Sequence, residues 1–204
     1  MLEKILSQIN YLEALGAGLA IVQVILSKNN NVNNYLFGIA GILIAIWIYY
    51  HNKLYADILL NLYYLIMSIY GWFFWKFGKK SKQSPITYSS PENWLIAFGI
   101  VSGCLILMFY WLNFHTDSDV PVWDSFVVAF AWAGMWLMAK RKIENWLFLN
   151  MSNLIAIPLM VYKGLYIYAA LTVFLFIMGW LGYFNWRKIY KQTDGNFSNQ
   201  KKNI

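Results

Sequence analysis

Seven stretches of mostly apolar residues follow one another along this 204-residue chain, roughly at 11–27, 35–50, 55–75, 93–113, 121–139, 145–162 and 166–186. Each approaches the ~20 residues with which an α-helix crosses a hydrocarbon core. The breaks between them are short and polar, reading Ser27-Lys28-Asn29-Asn30-Asn31, His51-Asn52-Lys53, Lys79-Lys80-Ser81-Lys82, His115-Thr116-Asp117-Ser118-Asp119, Lys140-Arg141-Lys142 and Lys163-Gly164. Only 12% of the residues are charged and 60% are hydrophobic, against about 25% charged in a soluble domain. So few charges cannot coat a globule, which predicts an all-α membrane protein of seven transmembrane helices. Residues 1–192 then form one domain, and the polar residues 193–204 form a loose tail.

The positive charges orient the bundle. With the N-terminus outside, the inner side collects Lys28, Lys76, Lys79, Lys80, Lys82, Lys140, Arg141, Lys142, Arg187, Lys188, Lys191, Lys201 and Lys202, leaving only Lys4, Lys53 and Lys163 outside. Cytoplasmic loops carry such an excess of Lys and Arg, so the C-terminus is placed inside and the protein in the inner (cytoplasmic) membrane. The net charge of +7 is read as this topological signal and not as a nucleic-acid surface. Membrane lipid is the expected surroundings. Met1–Asn10 lacks a small-residue cleavage site after a basic start, so no signal peptide is expected. The single Cys104 excludes an intrachain disulfide and a cysteine metal cluster.

The chain resembles itself at an offset of 111. Leu54-Tyr55 and Gly71-Trp72-Phe73-Phe74-Trp75-Lys76 fall on Leu165-Tyr166 and Gly182-Tyr183-Phe184-Asn185-Trp186-Arg187, and Asn34-Tyr35-Leu36 falls on Asn145-Trp146-Leu147. The pattern predicts two parallel three-helix repeats, about 11–76 and 121–188, joined by a linker helix at about 93–113. Duplicated bundles commonly bind substrate near the midplane and work by alternating access, so transport is the expected function.

Polar residues within membrane spans are costly and mark candidate sites. On the third helix Asp57, Asn61, Tyr64 and Ser68 recur along one face; on the sixth Trp146, Asn150 and Asn153 do the same. Two faces of amides and rings can stack a flat heterocycle and hydrogen-bond its substituents, and aromatic faces attract a cationic ring. The competing reading is that these amides clamp helices together. Asp57 and Asn61 are expected to oppose Trp146 and Asn153 across the midplane. Trp75, Trp186, Trp94 and Trp123 are read as interfacial belt residues. Gly71 and Gly182 are read as close-packing positions, and Pro158 as a kink in helix six. The two histidines, His51 and His115, lie at helix ends, and no phosphate-binding glycine loop precedes a helix. No metal, cofactor or enzymatic activity is therefore expected. Asp57 and Asp124 are taken as the only acidic residues within spans, too few near the centre for an ion relay, which leaves facilitated diffusion.

At these residues the chain resembles the PnuC family of vitamin transporters. The resemblance rests on Lys53-Leu54-Tyr55-Ala56-Asp57 through Leu60-Asn61 and on Tyr70-Gly71-Trp72-Phe73-Phe74-Trp75. In the second half it rests on Trp136-Leu137-Met138-Ala139-Lys140, Ile143-Glu144-Asn145-Trp146, Asn153 and Tyr162-Lys163-Gly164-Leu165-Tyr166. It implies a homotrimer whose subunits resemble fused half-transporters of the SWEET type. It also implies uptake of nicotinamide riboside, a small-molecule vitamin substrate, with trapping by cytoplasmic phosphorylation. The family's helix-six motif resembles Trp-x-x-Trp-x-x-x-Asn; here Trp146 and Asn153 match, while Leu149 stands for the second Trp. Met135 stands where a Gln often precedes the helix-five Trp. Thiamine or riboflavin remains the alternative cargo, and a non-transporting sensor or scaffold the alternative of another class.

Overall fold

The structure, a computed structural model, describes residues 11–51, 55–78, 85–116 and 118–202, with the side chains at 55–57, 59 and 194–202 outside that description. The described residues form seven helices: α1 Tyr11–Lys28, α2 Asn34–His51, α3 Tyr55–Phe77, α4 Pro91–His115, α5 Pro121–Ala139, α6 Asn145–Tyr162 and α7 Tyr166–Lys202. Among the described residues six of them, α3 excepted, are long and apolar enough to cross a membrane. The protein is thus a multi-pass helical membrane protein, in which each helix satisfies its own backbone away from water. Six of the helices begin and end within a few residues of the expected bounds. The exception is α7, which runs past the expected end near 186 to Lys202, so that 193–202 is helical and not a loose tail. Its polar end carries neither Pro nor a positive-φ Gly to stop it.

Local chemistry sets the helix starts. Ser90 caps α4, its hydroxyl accepting from the Asn93 N–H at 3.3 Å, with Pro91 in the first turn. Pro121 likewise stands in the first turn of α5, which has no side-chain cap. Helices α1, α2 and α3 pack in succession, as do α5, α6 and α7; α1 also meets α7, α3 meets α5, and α4 lies along α5. That last contact is built from Ala97, Val101, Cys104 and Met108, spaced along one face of α4, against Ala129, Ala133 and Leu137 of α5.

The turns after α1 and α5 share one geometry. Asn30 and Arg141 sit in the left-handed region at φ 57° and 59°. Asn30 N donates to Ser27 O and Arg141 N to Met138 O, each at 2.9 Å; Asn31 N donates to Leu26 O and Lys142 N to Leu137 O, also at 2.9 Å. This is the Schellman closure of a helix C-terminus. The next helix then starts on Asn34 or Asn145, whose amide nitrogens bond the carbonyls of Asn31 (2.7 Å) and Lys142 (2.5 Å). A left-handed Arg is unusual. Arg141 is held there by two bonds from its guanidinium to Asn30 Oδ1 (3.0 and 2.6 Å) and by stacking 4.4 Å over Trp75. Burial pulls this guanidinium down to a pKa of about 10, partly offset by Tyr35. On the same end of the bundle, Ile86–Ser89 crosses the α5–α6 turn. Ile143 N donates to Thr87 O (3.1 Å), and Ser89 donates through N and Oγ to Glu144 (3.0 and 2.8 Å).

The belt reading of Trp75 and Trp186 is overturned: both are 0% exposed. The Trp75 indole N–H donates to Met138 O (3.1 Å) and that of Trp186 to Ser27 O (3.0 Å). Each indole reaches the last turn of a neighbouring helix, where carbonyls lack intrahelical donors. The two rings lie 5.5 Å apart, and with Tyr35 they close this end of the bundle. Trp123 is exposed, as a belt residue would be, whereas Trp94 packs against Phe98 and Phe148.

Candidate functional site

Two cavities lie inside the bundle, one above the other along α1. The smaller, about 180 Å³, is bounded by α1, α5, α6 and α7; the larger, about 280 Å³, by α1, α2, α3 and α7. Ala20 and Gln23 border both. The smaller cavity sits against the closed Trp end, and the larger extends towards the start of α1.

Three of the expected site residues meet at the smaller cavity: Trp146, Asn150 and Asn153, on one face of α6. Trp146 is held edge-on against Trp186, with ring centroids 5.6 Å apart. It stands over Gly182, where an added Cβ would come within 2.6 Å of the indole. Gly71 plays the same part under Tyr35, at 2.5 Å, so both glycines are close-packing positions as expected. The indole N–H of Trp146 is buried and has no acceptor among the described residues. The Asn150 amide is committed to α7, accepting from Trp180 N and donating to Phe176 O, both at 3.2 Å. Gly179 makes room for it, since a Cβ there would clash with the Asn150 amide. Asn150 is therefore a clamp that also lines the cavity. Asn153 lines the cavity with no hydrogen-bond partner among the described residues, which leaves its donor and acceptor available.

The remaining expected residues are placed elsewhere. Asn61 borders the larger cavity and does not oppose Trp146 or Asn153. Tyr64 borders neither cavity; its neighbour Tyr63 stacks on Trp132, with ring centroids 4.1 Å apart, and donates to the Trp132 carbonyl (3.0 Å). The Asp57 side chain lies outside the described residues. Ser68 is buried on α3, its hydroxyl without a partner among the described residues. Asp124, in the first turn of α5, pairs with Lys163 at 2.7 Å.

Sequence reasoning missed two residues. Gln23 divides the cavities, its amide 2.8 Å from where a Gly38 Cβ would be. At the positions 111 further on the sizes are exchanged: Gly134 admits Leu149, again at 2.8 Å. Glu13, in the first turn of α1, borders the larger cavity and joins Asp57 and Asp124 as an acidic residue within a span. A lone Gln or Glu inside an apolar run was the available signal, because each is costly in lipid unless it faces the bundle interior.

Among the described residues no charged side chain borders the smaller cavity. Its walls are apolar at Val24, Met135, Met138, Leu149 and Leu175, with Gln23, Asn153 and Trp146 as the groups able to orient a guest. Met135 and Leu149 thus stand in the wall itself. The chamber suits a flat, uncharged or delocalised ring with hydrogen-bonding substituents.

Comparison with known proteins agrees with this architecture. A crystal structure of the vitamin B3 transporter PnuC superposes with a TM-score of 0.71 at 21% identity, covering 89% of this chain and 83% of that one. The nicotinamide riboside transporter PnuC of Escherichia coli is 22% identical over 185 residues, covering 78% of this chain and 77% of its own. That of Neisseria mucosa is 24% identical over 201 residues, covering 91% and 75%. Residues 10–188 match the family model described as nicotinamide mononucleotide transporter. With nearly its whole length matched, the chain belongs to the nicotinamide mononucleotide transporter family, the PnuC transporters.

Proposed function

We propose that the protein is a facilitative transporter that takes up nicotinamide riboside across the inner membrane, after which cytoplasmic phosphorylation traps the cargo. The observation that carries this reading is the smaller cavity, where Asn153 and Trp146 border a half-open chamber in a chain of this family. Among the described residues neither cavity is bordered by Lys or Arg. A phosphate dianion would lie unpaired in such a chamber at a cost of many kcal/mol. The nucleoside is therefore favoured over the nucleotide for which the family is named. Trp146 would meet the ring and Asn153 its carboxamide or ribose. Asn61, and Asp57 one turn before it on α3, would belong to the other end of the route, with Tyr64 and Asn150 supporting the helices.

The assembly we infer is two parallel three-helix repeats, α1–α3 and α5–α7, joined by α4. It is supported by the paired turns at Asn30 and Arg141 and by the reciprocal indole bonds from Trp75 and Trp186. Three such chains form the homotrimer. The basic end, with Lys28, Lys76, Lys140 and Arg187, faces inwards by the positive-inside bias, so the N-terminus is outside and the indole layer closes the inner end. Thiamine is the second reading, favoured by the apolar Met135 and Leu149 in the cavity wall.

Proteoliposomes holding the purified protein should take up labelled nicotinamide riboside down its gradient, equally with and without a sodium or proton gradient. The mononucleotide should not enter. Failure to take up nicotinamide riboside, thiamine or riboflavin would sink the transport reading.

A further inference from the structure

The larger cavity is built unlike a packing defect. Gly16, Ala17 and Ala20 of α1 face Gly38, Gly41 and Ala45 of α2 across it. A Cβ on Gly16 would meet nothing within 4 Å. Gly16 therefore leaves space that the helices do not fill, whereas the space at Gly38 is taken up by the Gln23 amide and Gly41 packs on Leu19. At about 280 Å³ the cavity exceeds the chamber behind it and nears the lower size of small-molecule pockets, about 300 Å³. Of the described side chains around it, one is charged, the Glu13 carboxylate. Among the described residues Glu13 has no ion-pair partner. The Tyr168 hydroxyl faces it from α7, and Tyr49 and Asn61 complete the polar rim. A carboxylate that faces inwards with no cation among the described residues is costly in a membrane span unless a visiting charge offsets it.

We propose that the larger cavity is a second binding site, selective for a singly charged aromatic cation, in which Glu13 holds the ring before it passes Gln23 into the smaller chamber. The ligand class is an N-substituted pyridinium, whose positive charge pairs with the carboxylate and whose face lies against Tyr49 and Tyr168. The neighbouring chamber offers π faces and amides and no charge, so selection by charge happens at Glu13 and selection by shape and hydrogen bonding happens at Asn153. The inference rests on the transport reading and its outward N-terminus, which set this cavity on the side from which cargo arrives.

The test is calorimetric titration of the purified full-length protein with nicotinamide riboside and with its uncharged dihydro form. In Glu13→Gln the affinity for the cation should fall about tenfold, as expected for loss of one partly buried charge contact, while the neutral ring binds as before. Glu13→Asp should keep most of the selectivity. Gly16→Leu fills the space without touching the charge and should weaken both ligands. Unchanged cation affinity in Glu13→Gln, or equal losses for both rings, overturns the second site while leaving transport intact. If Glu13→Gln does not fold, wild-type affinities in Gly16→Leu overturn it. No binding of either ring by the wild type overturns the transport reading and this inference together.

Discussion

Replacing Gly182 by Ala separates the role of Trp146 from that of the bundle around it. The new methyl would sit 2.6 Å from the indole Cε2 and Cζ2, so the ring must withdraw by at least about 0.8 Å to regain contact at 3.4 Å. It has little room, because Trp186 stands edge-on behind it and the ring is 1% exposed. Overpacking of this kind costs about 1–3 kcal/mol, and about 2 kcal/mol corresponds to roughly 4–8 °C in Tm for a chain this long. Gly71→Ala produces the same clash against Tyr35, at 2.5 Å, but Tyr35 borders neither cavity. Both variants should lose similar Tm by intrinsic fluorescence. Only Gly182→Ala should also lose more than about tenfold in nicotinamide riboside affinity, and adding Trp146→Phe should recover its Tm without recovering binding. Equal affinity losses in the two glycine variants would refute the assignment of Trp146 to the site and reduce its role to packing.

The two α6 amides should behave differently. Asn150→Ala removes both bonds to the α7 backbone and should lower stability by about 1–3 kcal/mol, seen as a Tm drop in the absence of ligand. Asn153→Ala should leave Tm nearly unchanged and weaken binding by about 1 kcal/mol or more, read by titration. At the closed end, Trp186→Phe should cost about 1–2 kcal/mol through loss of the bond to Ser27 O. Trp75→Phe should cost more, because Arg141 also rests on that ring and the smaller Phe face keeps only part of a cation–π contact of about 0.5–2 kcal/mol. Equal Tm losses in the two would deny the Arg141 contact any weight.

The helices were legible because their cause is local. Apolar length and flanking polar clusters mark a span whatever its neighbours do, and the turns at Asn30 and Arg141 lie where the polar breaks put them. The site was legible only in part. Helical spacing places Trp146, Asn150 and Asn153 on one face, and they do line one cavity. Spacing cannot say which helix that face meets, so Asn61 fell on the wrong side of Gln23. Asn150 looked like a ligand group until Gly179 was seen to admit it to the α7 backbone. The indoles of Trp75 and Trp186 misled for a similar reason: at a helix end an indole serves an interface as readily as a neighbouring carbonyl, and only contact distinguishes the two.

The sequence by itself determined that the chain must live in lipid, where its apolar helices run and which end is basic, and it repeats its own pattern at an offset of 111. These follow from hydrophobicity, charge and repetition, which are properties of single segments. Only the tertiary structure decided that the space inside is split into two cavities. It also decided that Gln23 divides them, that Glu13 faces one and Asn153 the other, and that buried indoles close one end. Those outcomes depend on which small residues face which large ones across helices distant in sequence. Gly38 yields to Gln23 while Gly134 yields to Leu149; that exchange of sizes is a property of pairs, and no single segment carries it.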